Sequence, residues 1–162
     1  MGEIGYSQLA QYPLFAGMPT ATLERLSRSA QEVAFDTGHV ILAEGGHAGT
    51  LYLLRRGKVT LSTHAPGRGD LLVQTIGPGE VLGLSWLFPP FKWRFDARAI
   101  EPVAALAVDG PGVRAELDDN PALGYQLLKR IGPVILDRLQ QTRVRLLDLY
   151  SNERANNGHS SN

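Results

Sequence analysis

The order of apolar and polar positions divides the chain into three textures. Between Pro19 and Arg28, Leu23 and Leu26 share a face at i, i+3, and Pro19 with Thr20 suits a helix start, so a short helix is predicted there. From about residue 31 to 109 the runs shorten and fill with Val, Ile, Leu and Thr: Val40 to Leu42, Leu51 to Leu54, Lys58 to Ser62, Leu71 to Ile76, Phe95 to Ala99 and Val103 to Val108. Glycine separates them, at Gly38, Gly45–Gly46, Gly57, Gly67, Gly69, Gly77 and Gly79. Short strands at regular spacing with turn signals between them predict a sandwich, jelly roll or small barrel.

From about residue 118 the period becomes helical. Asn120 followed by Pro121 is a helix-start signal. Gly132–Pro133 should break or kink that helix, with Pro133 opening a second one to about Tyr150, roughly 27 Å long. On the second helix Ile135, Leu139, Thr142, Leu146 and Leu149 follow a 4-3-4-3 repeat, the seam of a coiled coil. The stripe could pack on the chain's own β domain or pair with the same helix of a second chain. The other face, with Asp137, Arg138, Gln140, Gln141, Arg143 and Arg145, reads as a solvated flank. The polar tail 151–162 is expected to be disordered.

Four segments in order carry a resemblance: Leu14 to Leu23 (LFAGMPTATL), Asp36 to Gly45 (DTGHVILAEG), Leu51 to Leu61 (LYLLRRGKVTL) and Ile76 to Gly83 (IGPGEVLG). Their order and spacing resemble the cyclic nucleotide-binding domain of the catabolite-activator superfamily, over about residues 12–150. The resemblance implies an α+β fold: an eight-stranded, jelly-roll-like β-roll over 31–110, N-terminal helices, and C-terminal helices over 118–150 that usually dimerise. It also implies a ligand held in a phosphate-binding cassette. There a short helix offers backbone N–H groups to the cyclic phosphate, a glutamate takes the ribose hydroxyl and an arginine pairs with the phosphate.

This chain departs from that pattern at both side chains. Leu84 stands where the ribose glutamate is expected, and Glu80 fits an earlier turn acid instead. Trp93 stands at the phosphate arginine, with Arg94 one position later. A hydrogen bond to a charged group contributes about 1.5–3 kcal/mol, so losing two would cost roughly 3–6 kcal/mol, two to four decades of affinity. Arg94 or Lys92 could substitute for the arginine. The segment from Leu84 to Arg94 holds Trp86, Phe88, Phe91 and Trp93 among two prolines. It reads either as a remodelled pocket with Gly83, Leu84, Ser85, Trp86, Lys92, Trp93 and Arg94 as ligand-binding candidates, or as aromatic filling of a cavity that binds nothing.

Composition narrows the chemistry. The 162 residues contain no cysteine, which excludes disulfides and cysteine-held zinc or iron–sulfur centres. Sixteen basic residues balance sixteen acidic ones, against a generally basic nucleic-acid binder. No apolar run approaches the roughly 20 residues of a membrane helix, and no signal peptide is visible, so a cytoplasmic domain is expected. His39, Glu44, His47 and His64 lack the His-x-His of a cupin metal site and read as surface positions, with no metal expected. Arg55, Arg56 and Lys58 flank a hairpin at Gly57 and read as a solvated turn, while Asp96 and Arg98 share a strand face, each suited to a structural ion pair. No nucleophile elbow, Walker loop or dinucleotide fingerprint occurs. About a dozen residues follow Tyr150, too few for the DNA-binding module that regulators of the resembled superfamily carry there.

The expectation is thus a non-enzymatic sensor module, homodimeric through its last helix and signalling to a separate protein partner. It would have no cofactor, and its ligand would be cyclic AMP, cyclic GMP or another small anion. The alternative is a structural or protein-interaction domain with a degenerate pocket.

Overall fold

A computed structural model describes residues 3–158. Helices α1 (Tyr6–Ala10) and α2 (Thr20–Ser27), separated by a 3-10 turn at Pro13–Phe15, precede seven strands. These are β1 (Gln31–Phe35), β2 (Val40–Leu42), β3 (Thr50–Arg56), β4 (Val59–Ala65), β5 (Gly69–Ile76), β6 (Asp96–Ala99) and β7 (Val103–Asp109). Helices α3 (Gly110–Asp119) and α4 (Pro121–Gly158) complete the chain. All strand pairs are antiparallel, in two sheets ordered β1-β7-β3 and β2-β6-β4-β5.

The core lies between the sheets. Leu51, Leu53, Leu54, Val59, Leu61, Ala97, Ala99, Leu106 and Val108 are all buried. Alternation along β4, with Val59 and Leu61 inward, is the period-2 signature of a sheet wet on one face. The N-terminal cap is sealed onto the roll by Leu9, Leu14, Phe15, Leu23 and Leu26, and the Tyr12 hydroxyl donates to the Leu54 carbonyl at 3.2 Å.

The eighth strand is reduced to a short ladder. After the turn at Gly77–Gly79, Gly79 N–H donates to Leu54 O, Leu54 N–H to Glu80 O and Leu82 N–H to Tyr52 O, at 2.9–3.0 Å. Glu80 holds that turn by accepting from Gly77 N–H at 2.7 Å. The segment then leaves β3 at Gly83 to enter the cassette, which ends the pairing.

Gly57 closes the β3–β4 hairpin at φ +90°, and a Cβ there would lie 2.3 Å from the Pro102 carbonyl oxygen. Gly57→Ala combines left-handed strain with a backbone clash, and is expected to cost about 2–3 kcal/mol in urea unfolding. A loss under about 0.5 kcal/mol would show that this turn relaxes freely.

The helical end differs from expectation in three ways. First, helix α3 lies almost wholly before the predicted helical region and is not among the predicted elements; it starts at Gly110, capped by the Asp109 carboxylate accepting from Gly112 N–H at 3.0 Å. Helix α4 does start at Pro121, with the Asn120 side chain accepting from Leu123 N–H, but it runs unbroken through Gly132–Pro133. Proline there removes one helical hydrogen bond at a cost of about 3 kcal/mol. Packing offsets that cost, since Leu123, Leu127 and Ile131 are buried just before the proline and Val134 packs against the core just after it. Third, residues 151–158, expected to be disordered, extend the helix and tie to the roll through an Arg68–Glu153 ion pair. The remaining tail residues lie outside the described range. Among the described residues, no helix is long and apolar enough to cross a membrane.

Candidate functional site

The segment between β5 and β6 is built on glycine and tryptophan. A Cβ on Gly83 would come within 2.6 Å of the Trp93 ring, so only glycine lets that ring lie against the backbone. Trp93 is buried, and its N–H and C=O pair with Gly46 O and Gly45 N–H at 2.9 and 2.8 Å. Trp86 is fully buried, its indole N–H donating to the Gly83 carbonyl at 3.0 Å. The Trp86 carbonyl in turn accepts from Arg114 of α3, whose guanidinium lies 4.0 Å above the Phe91 ring. Trp86, Phe91 and Arg114 therefore lock the cassette to α3.

Beside this packed half lies a cavity of about 270 Å³ between the cassette and α4. Leu84, Ser85, Phe88, Pro89, Arg94 and Phe95 form the cassette wall. Ile135 and Arg138 form the wall from α4. Arg138 also borders a second cavity, of about 580 Å³, beneath Pro133. Its position is unusual for an arginine. One Nη donates to the Val81 carbonyl, while Nε is shielded from solvent and has no hydrogen-bond partner. Burial lowers its pKa from the ordinary arginine value, an effect that Glu80 and Asp137 offset only in part. Those two carboxylates are engaged elsewhere, Glu80 with Gly77 N–H and Asp137 with the Gln74 side-chain amide at 3.3 Å.

Of the seven ligand candidates read from the sequence, Leu84, Ser85 and Arg94 line this cavity. Gly83, Trp86 and Trp93 belong to the packing beneath it. Lys92 is exposed on a backbone bridge to His47, away from the wall. Ile135, the first residue of the expected seam, also faces the cavity. Arg138, expected on a solvated flank, is instead partly buried against the roll. The signal for it is its spacing: Leu127, Ile131, Val134 and Arg138 form a 4-3-4 row, so an arginine continues the face that α4 turns to its own domain.

The remaining polar candidates have structural roles. Asp96 accepts from Glu44 N–H at 2.7 Å and Arg98 donates to the Gly38 carbonyl at 2.8 Å, so both bond to backbone instead of forming the expected ion pairs. Arg55 pairs with Glu32 at 2.9 Å. His39 stacks on Phe35, and Glu44 accepts from the Thr63 hydroxyl and His64 N–H. Among the described residues, no group of three His, Cys, Asp or Glu side chains is placed to hold a metal ion.

Comparison with known proteins agrees with this architecture. Residues 32–120 match the family model of the cyclic nucleotide-binding domain. A CRP-like cAMP-activated global transcriptional regulator of Mycobacterium tuberculosis is 31% identical over 141 residues, 87% of this chain and 61% of the regulator. The chain thus spans less than two thirds of the length of that curated relative. A proposed cyclic nucleotide-binding protein from Geobacter metallireducens GS-15 superposes with a TM-score of 0.74 at 31% identity, covering 84% of this chain and 98% of that one. The sensor domain of the transcriptional regulator DNR from Pseudomonas aeruginosa shares the fold, with a TM-score of 0.70 at 20% identity, covering 83% and 90%. Matched by the family model over more than half its length and 31% identical to relatives across most of it, this chain belongs to the cyclic nucleotide-binding domain family.

Proposed function

We propose that this chain is a non-enzymatic sensor module: a small anion enters the pocket between cassette and α4, and its occupancy is read out by α4. The observation that carries this is the division of the pocket between the roll, through Arg94 and Ser85, and the helix, through Ile135 and Arg138. A ligand touching both walls binds one helix arrangement better than another and shifts the population toward it. Two copies would pair along α4, and a separate protein would receive the signal. The relative's activation by cAMP makes cyclic nucleotides the first ligands to test.

Thermal shift and calorimetry with cyclic AMP, cyclic GMP, inorganic phosphate and small organic acids test this reading. A ligand at 100 times its Kd stabilises the fold by about 2.7 kcal/mol, roughly 5–11 °C for a chain of this size. Arg94→Ala is expected to weaken the bound probe by about ten- to a hundredfold, the loss of one charge-assisted contact. A second reading, an interaction domain without a ligand, draws on Trp86 and Trp93 filling the heart of the cassette. If no probe shifts the melt at millimolar concentration, that second reading replaces the first.

A further inference from the structure

We propose that the pocket takes a small organic acid, an apolar aromatic or branched body carrying one carboxylate, gripped between Arg94 on the roll and Arg138 on α4. This rests on the sensor reading above and names the chemistry of its ligand.

The wall carries two guanidinium groups and no carboxylate, and its other members except Ser85 are apolar. A charged head and an apolar body are therefore both required of an occupant. Arg138 is the incomplete partner. Among the described residues it forms no ion pair, its Nε–H has no acceptor, and the two acids nearest in effect are already bonded. The Val81 carbonyl satisfies one N–H of this partly buried cation but does not neutralise its charge, which an incoming anion would. A carboxylate in the cavity would supply the opposite charge that the Arg138 side chain lacks, and its plane matches a guanidinium fork.

Wall chemistry separates this class from a nucleotide. Ser85 is the one side chain on the wall that could accept from a sugar hydroxyl, because Leu84 presents only carbon. Inorganic phosphate would leave the wall of Phe88, Phe95 and Ile135 wet.

The test uses calorimetry with 3-phenylpropanoate and indole-3-carboxylate, each against its primary amide, and with cyclic AMP and inorganic phosphate. At least one acid should bind, at least tenfold tighter than its amide. Arg138→Met should abolish that binding while raising the melting temperature of the ligand-free protein, since it removes a partly buried cation that no carboxylate pairs. Arg138→Lys, which keeps the charge but not the fork, should bind the acid at an intermediate affinity. A lower melting temperature in Arg138→Met with acid binding unchanged would make Arg138 structural and overturn the proposal. Cyclic AMP binding tighter than every acid would overturn the ligand class and leave the sensor reading standing. No binding by any probe would remove both.

Discussion

Trp86→Ala should lower the stability of the domain by about 3–5 kcal/mol, the cost of deleting a large, fully buried aromatic. For a chain of this length that is a fall of roughly 6–20 °C in melting temperature. The side chain sits where the cassette, α3 and the β7–α3 junction meet: its Cβ lies where a Cβ on Gly110 would approach to 3.0 Å, and its indole N–H satisfies the Gly83 carbonyl. Truncation opens a cavity lined by these elements and leaves that carbonyl short of a partner. Trp86→Phe separates the two contributions. It keeps most of the ring and removes the N–H donor, so it should cost less, nearer about 1–2 kcal/mol. Equilibrium urea unfolding measures both, and an unchanged m-value would show that the difference lies in stability and not in the denatured state. A loss below about 1 kcal/mol for Trp86→Ala would mean that this indole is not part of the core.

That result also bears on the two readings of the aromatic cassette. The sequence alone poses them as rivals, a remodelled pocket or a filled cavity, because a run of Trp, Phe and Pro carries no period that says which ring turns which way. The structure divides the segment between them. Trp86 and Trp93 fill the interior, while Phe88, Pro89 and Phe95 face the cavity beside it. Gly83 signals this division only once the Trp93 ring is known to lie on it.

Elsewhere the legible features were those with local causes. The runs at Val40, Leu51, Lys58, Leu71, Phe95 and Val103 coincide with β2 to β7 because apolar alternation and glycine turns act over a few residues. Strand β1 lacks such a run; Gln31–Phe35 is recognised through its five-residue pairing with β7, a contact between distant parts of the chain. The predicted break at Pro133 failed for the converse reason. A local penalty of about 3 kcal/mol was outweighed by the burial of Leu127 and Ile131 on one side and the packing of Val134 on the other. Arg138 combines both lessons, because its residue type says surface while its position in the row says interior.

The second large effect is on assembly. Helix α4 spans 38 residues, about 57 Å, and has two apolar rows. Leu127, Ile131 and Val134 turn to the chain's own domain. Ile135, Leu139 and Leu146 remain 42%, 57% and 51% exposed, with Leu128 continuing the same row toward the N-terminus. Thr142, Leu146 and Leu149 edge a groove of about 440 Å³ against β5, so the helix's own roll covers this stripe only along one border. An apolar row of this length at heptad spacing is covered most economically by a second copy of itself. The chain is therefore expected to sediment as a dimer, and Leu139→Asp with Leu146→Asp to convert it to a monomer at all micromolar concentrations, because paired helices would bring four carboxylates into a dry seam. Gln140→Asp with Gln141→Asp places the same charge off the stripe and should leave the dimer intact, which separates a seam effect from a change in net charge. Both leucines are already exposed in the single chain, so the double variant should keep its far-ultraviolet dichroism while losing mass. A wild-type monomer would remove the seam altogether, and a double variant that still sediments as a dimer would place the interface elsewhere; either result ends the reading of α4 as the dimer seam.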